Sequence, residues 1–311
     1  MMGLRRGLVF LGILVAAGRF EIHGGTALPS PSKLRLQSAV ALVQDQATGE
    51  CLVAKQPEAV VPIASITKLM TAMVVLDARL DLQEGLRIEQ DDVDRLRHSR
   101  SRLPVGTQLT RGEALMLALM ASENRAAHAL GRTYPGGLVP FVRAMNAKAA
   151  ALGLRGSRFE DPAGLSGGNV SSARDLVRLV DTAHHYPQIR EFTTRDETTI
   201  PNGRRPLHFI NTNALVRGHR WDIGLSKTGF IDEAGRCLVM QAKLAKRPML
   251  IVLLDSNGKY TRLGDAQRIR QWMEGSEPAP RPKLKARLKA KSKFQTRPKP
   301  HVKPRIHKRR R

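Results

Sequence analysis

The chain reads as an α+β protein, with one antiparallel sheet assembled from both ends of the sequence and helices inserted between them. Three observations carry this expectation. Strand-like segments rich in Val, Leu and Ile fall at residues 38–44 and 51–55, and again at 224–230, 236–244 and 248–255. Between the two groups the apolar residues recur at helical spacing. Within each group the connections are short and polar, which suits hairpins and therefore antiparallel pairing. No internal repeat is present.

Taken in order, Gln46, Ala47, Thr48 and Gly49 form the turn between the first two strands. The next element, 65–78, follows Pro62, contains no Gly or Pro, and is apolar almost all round (Ile66, Leu69, Met70, Met73, Val74). A helix of that kind is buried, so side chains at its start sit on a rigid central support. Residues 81–109 are polar and loop-rich. Helical runs follow at 111–130 and 138–153. A capping box, Ser172 with Asp175, opens a helix over 173–185. After another loop-rich stretch come the last three strands and a closing helix at 265–273.

The chemistry lies in three short groups. A serine three positions before a lysine on one helix shares its face, so a neutral lysine could take the serine proton and produce an attacking alkoxide. The S-x-x-K pattern arises by chance about once in 300 residues. It occurs here at Ser30/Lys33, Ser65/Lys68 and Ser256/Lys259. Pro29 and Pro31 oppose a helix at Ser30, and Asp255, Asn257 and Gly258 make Ser256 a turn. Only Ser65 opens a long helix, where the helix N-terminus favours a developing oxyanion. An N-cap is the simpler role for an isolated serine. Against it stand a Ser122-x-Asn124 triplet within the helical run 111–130 and Lys227-Thr228-Gly229 on a strand, each occurring once. Gly164-Leu165-Ser166-Gly167-Gly168 matches a nucleophile elbow, but the polar, proline-containing segment before it is no buried strand, so it reads as a glycine-rich loop.

Composition sets the boundaries. Residues 1–27 read as an export signal, with Arg5 and Arg6, an apolar run from 8 to 17 too short to span a bilayer, and a small-residue cleavage site at 25–27. Retention as an anchor is the alternative. Residues 28–275 form the folded domain. Residues 276–311 carry fifteen Lys/Arg against one Glu, six prolines and few apolar side chains, which predicts a disordered basic tail. Such a tail suits adhesion to an anionic membrane or wall polymer, and an exported protein meets no specific nucleic acid. Cys51 and Cys237 are expected to be free, buried thiols on non-adjacent strands. No Cys/His spacing suits zinc, and no cofactor or metal is expected. His184 and His185 are expected to be solvated rather than ligands.

The stretches 62–73, 119–125 and 227–230, with supporting segments at 134–137, 144–148 and 235–240, resemble low-molecular-mass penicillin-binding proteins of the D-alanyl-D-alanine endopeptidase type over residues 35–275. The resemblance implies a β-lactamase/transpeptidase-like fold whose five-stranded sheet has the Lys227 strand at one edge and the Cys51 strand at the other. It implies Ser65 as acylated nucleophile, Lys68 as its base and Ser122 as proton relay. Asn124, Lys227, Thr228 and Gly229 would bind substrate, with Lys227 also lowering the Lys68 pKa. The backbone N–H groups of Ser65 and Phe230 would form the oxyanion hole. Substrates would be peptidoglycan peptide cross-links, and β-lactam antibiotics would bind covalently. Glu123 and Phe230 depart from carboxypeptidase relatives and favour cross-link cleavage. No Glu-x-x-Leu-Asn pattern for antibiotic hydrolysis is present, and the relatives' second β-domain is not expected. D-alanyl-D-alanine carboxypeptidase action and a non-catalytic wall-binding role are the alternatives.

Overall fold

A computed structural model describes residues 34–203 and 205–275, so the expected signal segment, Ser30/Lys33 and the basic tail lie outside the described residues. The central sheet contains β1 (Val40–Asp45), β2 (Cys51–Lys55), β3 (Asp222–Ile231), β4 (Gly235–Leu244) and β5 (Arg247–Ser256). Its spatial order is β2-β1-β5-β4-β3, antiparallel throughout. The two ends of the sequence meet where Val43 of β1 lies opposite Ile251 of β5. The expected strand order is therefore the observed one, with the Lys227 strand at an edge.

The helices are α1 (Lys68–Asp77), α2 (Arg111–Met120), α3 (Asn124–Arg132), α4 (Leu138–Ala151), α5 (Ala173–His184), α6 (Pro187–Thr194), α7 (Ala214–Arg217) and α8 (Thr261–Met273). Both faces of the sheet are covered. Leu42, Val239 and Val252 face the layer containing α1 and α5, whereas Val43, Met240 and Ile251 pack with Ile269 and Trp272 of α8. Two-sided burial explains why the inner strands read as continuous apolar runs rather than alternating ones. In α1, Leu69 to Val75 are all buried, and each large side chain there contributes about 1.5–3 kcal/mol. Helix α1, which follows Ser65 directly, thus runs through the core.

Several expectations need correction. The run 111–130 is two helices, α2 and α3, interrupted at residues 121–123. The element expected at 65–78 begins with a 3₁₀ turn, Ala64–Thr67, before α1. Helix α6 has Pro187 in its first turn, a position that proline tolerates and that its lack of an N–H suits. At α5, Ser172 Oγ accepts from the Asp175 amide, but the Asp175 carboxylate accepts from Gly156 N and Ser157 Oγ, leaving only half of the expected capping box. Both cysteines are free, with two strands between theirs, yet Cys51 is exposed because β2 is an edge strand. Cys237 is buried, and that burial pushes its thiol up to about 11. His184 is half-buried rather than solvated and lies 3.4 Å from Gln46 Nε2.

Candidate active site

Ser65 sits in the 3₁₀ turn, and Ile63 caps that turn with no side-chain hydrogen bond, so Ser65 is not serving as an N-cap. Lys68, one turn on, is fully buried. Its Nζ donates to Ser65 Oγ at 2.8 Å, to Asn124 Oδ1 at 2.8 Å and to the Ala163 carbonyl at 2.5 Å. Burial is the main reason that the Lys68 amine falls from 10.5 to about 7, opposed by the carboxylates of Asp161, Glu123 and Asp94. Lys227 shares this pocket, and the repulsion between the two lysine ammonium groups is mutual. Lys227 is pushed well below the ordinary lysine range by burial first, then by the charges of Lys68 and Arg262.

The break between α2 and α3 places the Ser122-x-Asn124 triplet. Ser122 has φ +58°, a left-handed backbone that costs an ordinary residue about 1–2 kcal/mol. Glu123 restarts the helix as N-cap, accepting from Arg125 N and from Ser101 Oγ. Ser122 Oγ then accepts from Lys227 Nζ at 2.9 Å, while Asn124 Nδ2 donates to Ser99 Oγ at 2.9 Å. Ala64, just before Ser65, is also left-handed, with φ +48°. Strain of this kind persists where surrounding contacts fix it and concentrates at reactive sites.

On the sheet side, β3 presents Lys227, Thr228 and Gly229 beside the Ser65 turn. A Cβ on Gly229 would lie 2.9 Å from the Ile63 carbonyl oxygen and 3.1 Å from Ser65 N. Glycine is thus required for the Ser65 turn to seat against the strand, a constraint beyond the expected approach of substrate backbone. Thr228 Oγ1 pairs with Thr212 Oγ1 at 2.7 Å. Phe230 is exposed at the end of this edge, with the Arg236 guanidinium 4.4 Å above its ring. These contacts bring Ser65, Lys68 and Asn124 together, Ser122 to Lys227 and Gly229 to the Ser65 turn, with Thr228 and Phe230 flanking Gly229 on β3.

Sequence reasoning missed five contributors. Ser99 and Thr212 lie in loops whose composition carries no local signal. Asp161 accepts from the amides of Ala163, Gly164, Leu165 and Ser166, shaping the loop whose Ala163 carbonyl holds Lys68. Its glycines were the available clue. Arg262, at the start of α8, adds positive potential at Lys227. Among the described residues no group of His, Cys, Asp or Glu is placed to hold a metal ion.

A serine bonded to a buried, weakly basic lysine, beside a second Ser–Lys pair on a sheet edge, defines a serine hydrolase that acylates itself. The chain belongs to the D-alanyl-D-alanine carboxypeptidase family, whose model matches residues 27–258. It is 50% identical over 247 residues to a D-alanyl-D-alanine endopeptidase of Pseudomonas aeruginosa, covering 78% of this chain and 79% of that one. It is 44% identical over 258 residues to the D-alanyl-D-alanine endopeptidase of Escherichia coli, covering 82% and 83%. The crystal structure of the Streptomyces K15 DD-transpeptidase superposes with a TM-score of 0.72 at 26% identity, over 78% of this chain and 98% of that one.

Proposed function

We propose that this chain is a serine D-alanyl-D-alanine endopeptidase that hydrolyses peptidoglycan cross-links through an acyl-enzyme on Ser65. The observation that carries this is the buried Lys68 amine, 2.8 Å from Ser65 Oγ with a pKa near 7, because such an amine can be neutral at physiological pH and still accept a proton. Neutral Lys68 takes the Ser65 proton as Oγ attacks the D-alanyl carbonyl carbon. The Ser65 and Phe230 backbone N–H groups stabilise the oxyanion, by about 3 kcal/mol per donor as in other acyl-transfer enzymes. Collapse of the intermediate breaks the C–N bond, and the proton passes through Ser122, held by Lys227, to the leaving amine. Lys68 then activates the water that releases the donor peptide. Asn124 holds the substrate backbone, and Thr228 with Thr212 receives the carboxylate beside the scissile amide.

The names of the Pseudomonas and Escherichia relatives support cleavage of cross-links, and the name of the family supports carboxypeptidase action as a second activity of the same site. β-Lactams would acylate Ser65. The reading places the enzyme in the periplasm after export through residues 1–27, with the domain at 28–275. The tail at 276–311 would hold it to anionic wall or membrane polymer.

Labelling with a fluorescent penicillin tests the nucleophile: wild type should form the covalent adduct, and Ser65→Ala protein that still forms it would refute the assignment. Digestion of cross-linked muropeptide dimers tests the bond. Dimers should become monomers; dimers that persist while terminal D-alanine is released would leave only the carboxypeptidase activity.

A further inference from the structure

The cleft has an ion pair across it that the steps above do not use. Asp94, nearly buried, accepts from the amides of Leu96, Arg97 and Ser99, which fixes a tight loop on the helical wall beside Asn124. From that loop the Arg97 side chain reaches the opposite wall. Its Nη1 and Nη2 each lie 2.9 Å from an oxygen of Glu233, which sits in the 3₁₀ turn Asp232–Ala234 directly after β3. Its Nε donates to the Leu165 carbonyl, so the guanidinium is aimed by a backbone group and not by Glu233 alone. The Arg97 side chain is 21% exposed and that of Glu233 53%.

The direction of substrate along β3 gives this pair a place. With the leaving side at Lys227 and Thr228, and the reacting carbonyl beside Gly229 and Ser65 N, the acyl-donor peptide continues past Phe230 toward Glu233. Glu233 follows Phe230 by three residues, in the 3₁₀ turn that closes the end of β3, where a donor peptide running past Phe230 would bring its upstream side chains. One guanidinium N–H donates to Glu233 and a second nitrogen lies close to its other oxygen, a forked approach that a guanidinium offers to any carboxylate. The Glu233 carboxylate is half exposed and returns to water at small cost, whereas Arg97 is mostly enclosed and stays aimed by Leu165, so an incoming carboxylate can take the place of Glu233.

We propose that Arg97 is a specificity-determining residue that receives a carboxylate of the acyl-donor peptide, and that Glu233 is the internal carboxylate occupying it while the cleft is empty. This rests on the endopeptidase reading and on the donor direction that follows from it. The test uses the full chain and a branched synthetic peptide with a D-alanyl cross-link, prepared with the donor's side-chain carboxylates either free or as carboxamides. The readout is the ratio of kcat/KM for the acid over the amide donor, in which any general loss of activity cancels.

Wild type should prefer the acid by about tenfold or more, as suits a charge-assisted bidentate contact. Arg97→Ala should bring the ratio to about one, Arg97→Lys should retain part of it, and Glu233→Gln should lower KM for the acid donor by removing the competitor. A wild-type ratio near one overturns the proposal. So does an Arg97→Ala protein that loses activity on both donors at an unchanged ratio, since that makes Arg97 a strut between the two walls. Wild-type protein that cleaves neither donor and takes no penicillin would remove the endopeptidase reading and this inference with it. A failure confined to the ratio leaves that reading standing.

Discussion

Replacing Lys68 with methionine converts the buried base into a pH-dependent stability signal. The chain length is nearly kept and the charge is lost. Native Lys68 has a pKa of about 7, whereas the unfolded chain restores the ordinary 10.5. Between those values the unfolded state binds a proton that the native state does not, so stability rises with pH by about 1.4 kcal/mol per unit. Below pH 7 both states hold the proton and the whole penalty is present, about 5 kcal/mol over the 3.5 units. From pH 6 to pH 9 wild type should recover about 3 kcal/mol that Lys68→Met never lost. Lost hydrogen bonds to Ala163 O and Asn124 Oδ1 cost about 1 kcal/mol each with the neutral amine, and any extra strength with the charged one is already contained in the Lys68 pKa. Lys227 contributes with the same sign in both proteins, but without the Lys68 charge it is depressed less in the variant, so the variant regains less with rising pH and the gap moves in the same direction. Urea unfolding at pH 6 and pH 9 measures the difference of differences. The gap in stability between the two proteins should move by about 3 kcal/mol in favour of wild type at the higher pH. A gap that stays constant would refute the claim that a desolvated, weakly basic amine sits beside Ser65.

Three further outcomes follow from the site geometry. Glu123→Gln keeps an acceptor for Ser101 but removes one of the charges that raise the Lys68 pKa, so the acid limb of penicillin acylation against pH should shift to below 7. An unmoved limb would disprove that coupling. Gly229→Ala should destabilise the fold by about 1–3 kcal/mol and slow acylation about tenfold or more, because the new methyl presses on Ile63 O and Ser65 N. Stopped-flow acylation and urea melts check both effects. Ellman's reagent at pH 8 should titrate Cys51 rapidly and Cys237 only after unfolding, since Cys237 is buried with its thiol raised to about 11. Two fast thiols in native protein would contradict the assigned positions of β2 and β4.

The sequence was most legible where the chemistry is local. Ser65 and Lys68 are one helical turn apart, so spacing alone brings them together, and the strand segments at both ends of the sequence marked the sheet's members, whose order came from the family resemblance. Loop contributions were not legible, because Ser99, Thr212 and the Ala163 carbonyl act through positions that only the folded backbone assigns. The interruption of 111–130 was hidden for a different reason. Residues 121–124 contain neither Gly nor Pro, and local propensity reports no strain that tertiary contacts hold in place. Yet the triplet itself requires that interruption. In a continuous helix two residues are separated by about 200° around the axis, so Ser122 and Asn124 would face opposite ways. The left-handed turn at Ser122 and the new N-cap at Glu123 remove that conflict, directing Ser122 to Lys227 and Asn124 to Lys68. A Ser-x-Asn pair that must act on one cleft therefore argues against the helix in which pattern places it, and the cost at Ser122 belongs to the site rather than to the fold.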